Sequence, residues 1–254
     1  MNKVAAMILC AGFGTRLGEL TKACPKPMLE ISGYPLLYYI IMNLKRVGIT
    51  QIFINLHYLS DQITSYFGDG KKFGLQIEYS YEDSPLGTAG ALVPLKHKLT
   101  NFENIFCIYG DILTNQNLID VLHFHKSSKA LLTFVSHERQ KSNSIALSNK
   151  KGKVIKFLER PSNEEVEKLK IAPPFQVNSA IYCMDREVLN HIPSNKVVDF
   201  PKNIFPALIK KDGLFSFPLE GHRLAIDGSD RLQQAREKLG KFKSLNEYWE
   251  LNGQ

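Results

Sequence analysis

Residues 4–28 read VAAMILCAGFGTRLGELTKACPKPM. The apolar run Val4–Cys10 is bounded by glycines, which is the pattern of a buried strand. It stops at Ala11-Gly12-Phe13-Gly14-Thr15-Arg16. Two glycines at a strand's end let the backbone approach a ligand closely and turn its N–H groups towards an anion. Arg16 and, ten residues on, Lys26 in Pro25-Lys26-Pro27 add two cations beyond that loop. Strand, glycine loop, arginine and lysine together read as a polyphosphate cradle.

Two familiar phosphate loops are excluded by spacing. The dinucleotide fingerprint needs a third glycine where Leu17 stands, and Gly18 comes one residue late. The P-loop needs Gly-Lys-Ser/Thr four residues beyond its first glycine, and no such run occurs. Outward from the opening stretch, strands and helices alternate. The pattern predicts a helix over 36–47 stopped by Gly48, a strand over 51–55, a short helix over 61–67 and a strand over 75–81. Strands at 105–111 and 130–136 flank a helix over 118–125, and further strands fall at 154–161, 173–185 and 214–218. This alternation predicts an α/β fold with a mostly parallel sheet covered by helices.

Composition narrows the class. The chain has 254 residues, 44% hydrophobic and 22% charged, so it is globular rather than disordered. Its net charge of +7 is spread along the chain. There is no basic arm and no RNA-binding motif, so the charge is read as solubility plus attraction for small anions, not as a nucleic-acid surface. Cys10, Cys24, Cys107 and Cys183 have no metal-ligand or C-x-x-C spacing, and three lie in apolar runs as small buried thiols. That suits a reducing cytosol, and a cytoplasmic location is expected. The N-terminal apolar octet is not read as a signal peptide, because cleavage would remove part of the glycine loop. No apolar run approaches ~20 residues, so no membrane span is expected.

Leu9–Leu17 (LCAGFGTRL) followed by PKPM at 25–28 resembles the signature of the sugar-1-phosphate nucleotidylyltransferases, with Cys10 where that family commonly has Ala or Gly. The resemblance covers about residues 3–237. It implies a Rossmann-like three-layer αβα sandwich with a mixed, mostly parallel sheet, a nucleotidyltransferase domain over 1–237, a short tail over 238–254 and no C-terminal β-helix. It also implies an enzyme that joins a nucleoside triphosphate to a sugar 1-phosphate and releases pyrophosphate, with Mg²⁺ as cofactor. It leaves room for a homo-oligomer.

Site residues follow from the same resemblance. Leu9, Ala11, Gly12, Gly14, Thr15 and Arg16 would hold the nucleotide. Arg16 would act on the leaving pyrophosphate and Lys26 on the attacking or α-phosphate. Residues 82–92, EDSPLGTAGAL, resemble the family's second glycine segment, which surrounds the base and assigns Glu82, Pro85, Gly87 and Thr88 to the nucleotide. Read alone, that segment is a tight helix–sheet contact. The strand 105–111 ends in Gly110-Asp111. A carboxylate there lies where open α/β sheets bind ligands, although a cap or turn is the plain reading. The resemblance makes Asp111 catalytic and metal-binding and puts Gly110 at the sugar phosphate. Glu159-Arg160-Pro161 stands where the family has Glu-Lys-Pro, Glu159 for sugar hydroxyls and Arg160 for phosphate. Asn178, in VNSAIYCMD, is a sugar-hydroxyl partner or a turn residue at strand entry. Asp227 is the second metal carboxylate, in a segment one residue shorter than the family's and lacking its proline; Asp230, or Asp227 as a helix cap, is the competing reading. PLGTAGAL and the short C-terminus most resemble guanylyltransferases for mannose or manno-heptose 1-phosphate. UTP- or CTP/dTTP-dependent enzymes, or a catalytically silent nucleotide-sugar-binding paralogue, are the alternatives.

Overall fold

The computed structural model describes residues 3–242 and 244–250. In chain order, the described elements begin with β1 (Val4–Leu9), a small hairpin β2 (Glu30–Ile31) and β3 (Tyr34–Pro35), α1 (Leu36–Arg46), β4 (Gln51–Leu56), α2 (Ser60–Phe67) and β5 (Gln76–Tyr81). Then come α3 (Lys96–Leu99), β6 (Asn104–Tyr109), β7 (Ile112–Thr114), α4 (Leu118–Ser127), β8 (Leu132–Arg139), β9 (Ser144–Ser148) and β10 (Val154–Glu159). The chain finishes with α5 (Asn163–Lys168), β11 (Phe175–Asp185), α6 (Phe205–Ile209), β12 (Leu214–Pro218), β13 (Arg223–Ala225), α7 (Ser229–Leu239) and α8 (Leu245–Glu250).

Seven strands form the central sheet in the order β12-β8-β11-β6-β1-β4-β5. Neighbours are parallel except at β11, which runs antiparallel to both β6 and β8. The sheet is therefore mixed and mostly parallel, with helices against it. Its central strands are buried on both faces, as parallel strands covered by helices must be, and β1 reads as an unbroken apolar run for that reason. One apolar cluster packs α1, α2 and α4 on one face of the sheet. A second packs the 89–99 segment and the residues around α6 on the other.

The strand expected over 154–161 is β10, and it pairs with β9 in a two-stranded ladder outside the central sheet, where Ile155 is 60% exposed. Helix α7 runs to Leu239, and α8 buries Tyr248 and Trp249. A third, smaller cluster holds these side chains with Leu17, Leu29, Leu113 and Ile226. No helix among the described residues is long and apolar enough to cross a membrane.

Candidate active site

β1, β4, β5 and β6 end on the same side of the sheet, and the loops after them enclose a cleft of about 330 Å³. This is where an open α/β sheet offers its ligand crevice. The glycine loop forms one wall. Cys10 N–H donates to Asn55 Oδ1 at 2.8 Å, but the amides of Ala11 to Gly14 donate to no acceptor among the described residues. Unbonded amides at the end of a buried strand are ready donors for an anion. A Cβ on Gly12 would meet nothing within 4 Å, so open space lies beside that backbone. Gly14, at φ +66°, sits directly before a short 3-10 helix, Thr15–Thr21, and Thr21 Oγ1 donates to its carbonyl at 3.1 Å.

Lys26 and Asp111 meet at the cleft, Nζ to Oδ2 2.6 Å, with side chains only 14% and 29% exposed. The other oxygen, Asp111 Oδ1, is buried and has no partner. Gly110 precedes it in a tight corner: its N–H donates to Leu9 carbonyl at 2.8 Å, and a Cβ there would lie 2.6 Å from Cys10 Sγ. Burial drives the Cys10 thiol well above its ordinary value, and the Asp111 charge adds to the shift, so Cys10 is a packing thiol, not a nucleophile.

β13 pairs antiparallel with β7, Ala225 opposite Ile112, and Ile226 N–H donates to the Asp111 carbonyl at 2.9 Å. That ladder brings Asp227 beside Asp111. Both carboxylates act on the Arg223 guanidinium, whose Nε donates to Ser179 carbonyl at 2.9 Å. Burial lowers the Arg223 pKa to about 10, while Asp111 and Asp227 oppose the shift. The residue that caps α7 is Gly228, so Asp227 is not the helix cap, and Asp230 lies in the helix's first turn. No group of three or more His, Cys, Asp or Glu suited to a metal ion occurs among the described residues. Asp111 lines the cleft, and Asp227, like Arg16, lies outside its lining.

The opposite wall is built from residues 82–88. Glu82 is 6% exposed, with Oε1 accepting from Asn55 Nδ2 at 2.7 Å and Oε2 from Leu86 N–H at 3.0 Å. Pro85, Gly87 and Thr88 line the cleft with it, as do Leu9 and Ala11 across the gap. Thr15 and Arg16 are exposed in the short helix after the loop and do not line the cleft. Glu159, Arg160 and Asn178 lie outside its lining as well. Glu159 ends β10, where burial pushes its carboxyl up against the opposing pull of Arg160 and Lys202. Arg160 is exposed, at φ +53°. Asn178 precedes an irregularity in β11 and donates from Nδ2 to Tyr182 Oη at 2.8 Å; Tyr182 Oη in turn donates to Tyr109 Oη at 3.3 Å, which reaches the cleft.

Sequence reasoning passed over Asn55 and Arg223. Asn55 had a signal, since it is a polar residue ending the apolar run QIFIN as Asp111 ends another. Arg223 had none, because its role depends on a three-residue ladder too short to show a pattern.

A glycine-loop amide wall, a lysine–aspartate pair and a second carboxylate thus stand at the carboxyl edge of a mostly parallel sheet, which defines an α/β protein with its cleft at the strand ends. The nucleotidyl transferase family model matches residues 5–250. The chain belongs to that family. A UTP–glucose-1-phosphate uridylyltransferase from Synechocystis is 33% identical over 218 residues, covering 80% of this chain and 55% of the relative. A mannose-1-phosphate guanylyltransferase from Mycobacterium tuberculosis is 32% identical over 210 residues, covering 82% and 56%. The chain thus spans a little over half the length of these curated relatives. Among solved structures, HddC from Yersinia pseudotuberculosis superposes with a TM-score of 0.75 at 22% identity, over 92% of this chain and 99% of that one, which shows the shared fold.

Proposed function

We propose that the chain transfers a nucleotidyl group from a nucleoside triphosphate, GTP in preference, to a sugar 1-phosphate of the mannose or manno-heptose type, giving an NDP-sugar and pyrophosphate. The observation that carries this reading is the Lys26–Asp111 pair facing a wall of unbonded glycine-loop amides across one cleft. In the reaction a sugar phosphate oxygen forms a bond to the α-phosphorus. The bond from that phosphorus to the bridging oxygen of the β-phosphate breaks, and pyrophosphate leaves with the electron pair. The attacking oxygen is already anionic, so no general base is needed. The difficulty is bringing two polyanions together and stabilising charge that spreads in the transition state.

This chain's residues divide that task. The amides of Ala11 to Gly14 would hold the triphosphate, with Leu9 and Thr15 flanking them. Lys26 would balance charge at the α-phosphate. Arg16, exposed and without a protein partner among the described residues, is available to the leaving pyrophosphate. Glu159 and Asn178 would take sugar hydroxyls, with Arg160 and Gly110 at the sugar phosphate. Asp111 and Asp227 would hold Mg²⁺. The unpartnered Asp111 Oδ1 fits a cation, and Mg²⁺ typically takes one or two carboxylates together with substrate phosphates and water. When bound, that ion supplies charge neutralisation and alignment of the phosphates.

The guanine preference is supported by resemblance to mannose-1-phosphate guanylyltransferases. Transfer from UTP, CTP or dTTP is the second reading, and the name of the Synechocystis relative favours it. A silent nucleotide-sugar-binding paralogue would have little use for an intact Lys26–Asp111 pair. The test is pyrophosphate release from each of four triphosphates against a panel of sugar 1-phosphates. GTP with mannose or manno-heptose 1-phosphate is expected to turn over fastest, and EDTA is expected to stop it. No pyrophosphate from any pair would overturn the reading.

A further inference from the structure

We propose that Asp199 is a positioning residue for the nucleotide, its carboxylate fixing the Pro85–Thr88 rim of the cleft in its binding geometry. The inference rests on the reading of that cleft as the nucleotide site, and it concerns a residue that does not itself line the cleft.

The rim lies directly on the 198–200 backbone. Val198 N–H donates to Leu86 carbonyl at 2.9 Å, and the Val198 carbonyl accepts from Ala89 and Gly90 at 2.8 and 3.0 Å. Gly87, at φ +82°, is pressed against this segment so closely that a Cβ would lie 2.5 Å from the Val198 oxygen. Main-chain bonds set the distance between the two segments. They leave the direction of the Thr88 side chain and amide to Asp199.

Asp199 Oδ1 accepts from both Thr88 N–H, at 3.1 Å, and Thr88 Oγ1, at 3.2 Å. Phe200 N–H donates to Thr88 Oγ1 at 3.0 Å, so the hydroxyl's donor and one acceptor site are both committed. Asp199 is held in turn, its own N–H donating to Asn203 Oδ1 at 2.7 Å. The rim is therefore slung between two carboxylates, Glu82 at Leu86 N–H and Asp199 at Thr88 N–H. Hydrogen bonds accepted by a carboxylate are the stronger kind. Such a device acts equally on bound substrate and transition state. Its loss is expected in KM and Kd for the triphosphate, not in kcat.

The experiment compares the full chain with Asp199→Ala and Asp199→Asn. Binding of each of the four Mg²⁺-triphosphates is measured by calorimetry, and steady-state kinetics are run with the best substrate pair. Asp199→Ala is expected to weaken triphosphate binding about tenfold, with kcat within about threefold and the sugar 1-phosphate KM within about twofold. Asp199→Asn keeps an oxygen acceptor of the same shape and is expected to recover most of that loss. Unchanged triphosphate affinity in Asp199→Ala, in a wild type that does bind, overturns the proposal alone. A rise confined to the sugar 1-phosphate KM also overturns it, since Asp199 would then touch the sugar. A fall in melting temperature and active fraction at constant affinity marks a merely structural role and overturns it too. If the wild type binds none of the four triphosphates, the nucleotide reading fails first and takes this one with it.

Discussion

Lys26 lies 2.6 Å from Asp111 with little of its side chain in water, so the pair is a partly buried ion pair at the point where two polyanions would meet. If Lys26 acts on charge that develops in the transition state, Lys26→Ala should lower kcat about a hundredfold or more while changing triphosphate affinity far less. Steady-state kinetics beside direct binding measurements check this, and equal losses in both would contradict it. If Asp111 and Asp227 hold Mg²⁺ as proposed, Asp111→Asn should move the Mg²⁺ activation curve to concentrations about tenfold higher. Most of these residues were legible beforehand because each sits at a break in a long pattern: glycines after a strand, an acid ending an apolar run, a lysine between prolines. Asn55 was passed over although it ends an apolar run, and Asp199 carried no signal, since both act by holding other residues. Their meaning appears only when Cys10, Glu82 and Thr88 are seen against them.

Among the elements, the Leu86–Gly90 turn is the most constrained. Gly87→Ala would force a side chain into a left-handed backbone and into the Val198 carbonyl, costing about 2–4 kcal/mol; urea unfolding would report it. Helix α4 carries a pH dependence. His125 is 2% exposed, and its Nδ1 lies 3.0 Å from Thr133 Oγ1 on β8. Burial lowers its pKa from 6.5 to about 4. The unfolded chain therefore binds more protons than the folded one between those values, so stability rises with pH across this window and is lost as pH falls through it. The urea midpoint of the wild type should drop between pH 6.5 and 4.5, and His125→Asn should flatten that slope even if it lowers the midpoint throughout. The parallel core strands were readable as apolar runs, but β11's reversed direction was not, because a strand buried on both faces reads the same either way. The strand over 154–161 was readable and is β10, but its partner β9 lies in a weakly patterned stretch and gave no strand signal. Helix α5 did carry a signature, the Ser162–Glu165 capping box, in an element only six residues long.

At the scale of the molecule, the third apolar cluster joins parts of the site far apart in sequence. Leu17 lies beside Arg16, Leu29 follows Lys26, Leu113 follows Asp111 and Ile226 precedes Asp227; all four pack with Tyr248 and Trp249 of α8. Asn115 Nδ2 donates to Tyr248 carbonyl at 3.1 Å, and Arg46 lies 5.7 Å over the Trp249 ring. Trp249→Ala should cost about 3–5 kcal/mol by calorimetry and, at temperatures where the variant stays folded, reduce turnover by disturbing the alignment of Lys26 with the acidic pair. Trp249→Phe should cost less, because the buried Nε1–H it removes has no partner.

That shared packing has a practical corollary for anyone grafting a different substrate preference onto this scaffold. The wall at 82–88 and the 198–200 segment hydrogen-bonded behind it lie outside that cluster and would have to be exchanged together. The cationic and acidic groups instead ride on a common keel whose last plank is α8. A chimera that borrows the front half from one relative and the closing helices from another would keep every reacting side chain and still set them out of true.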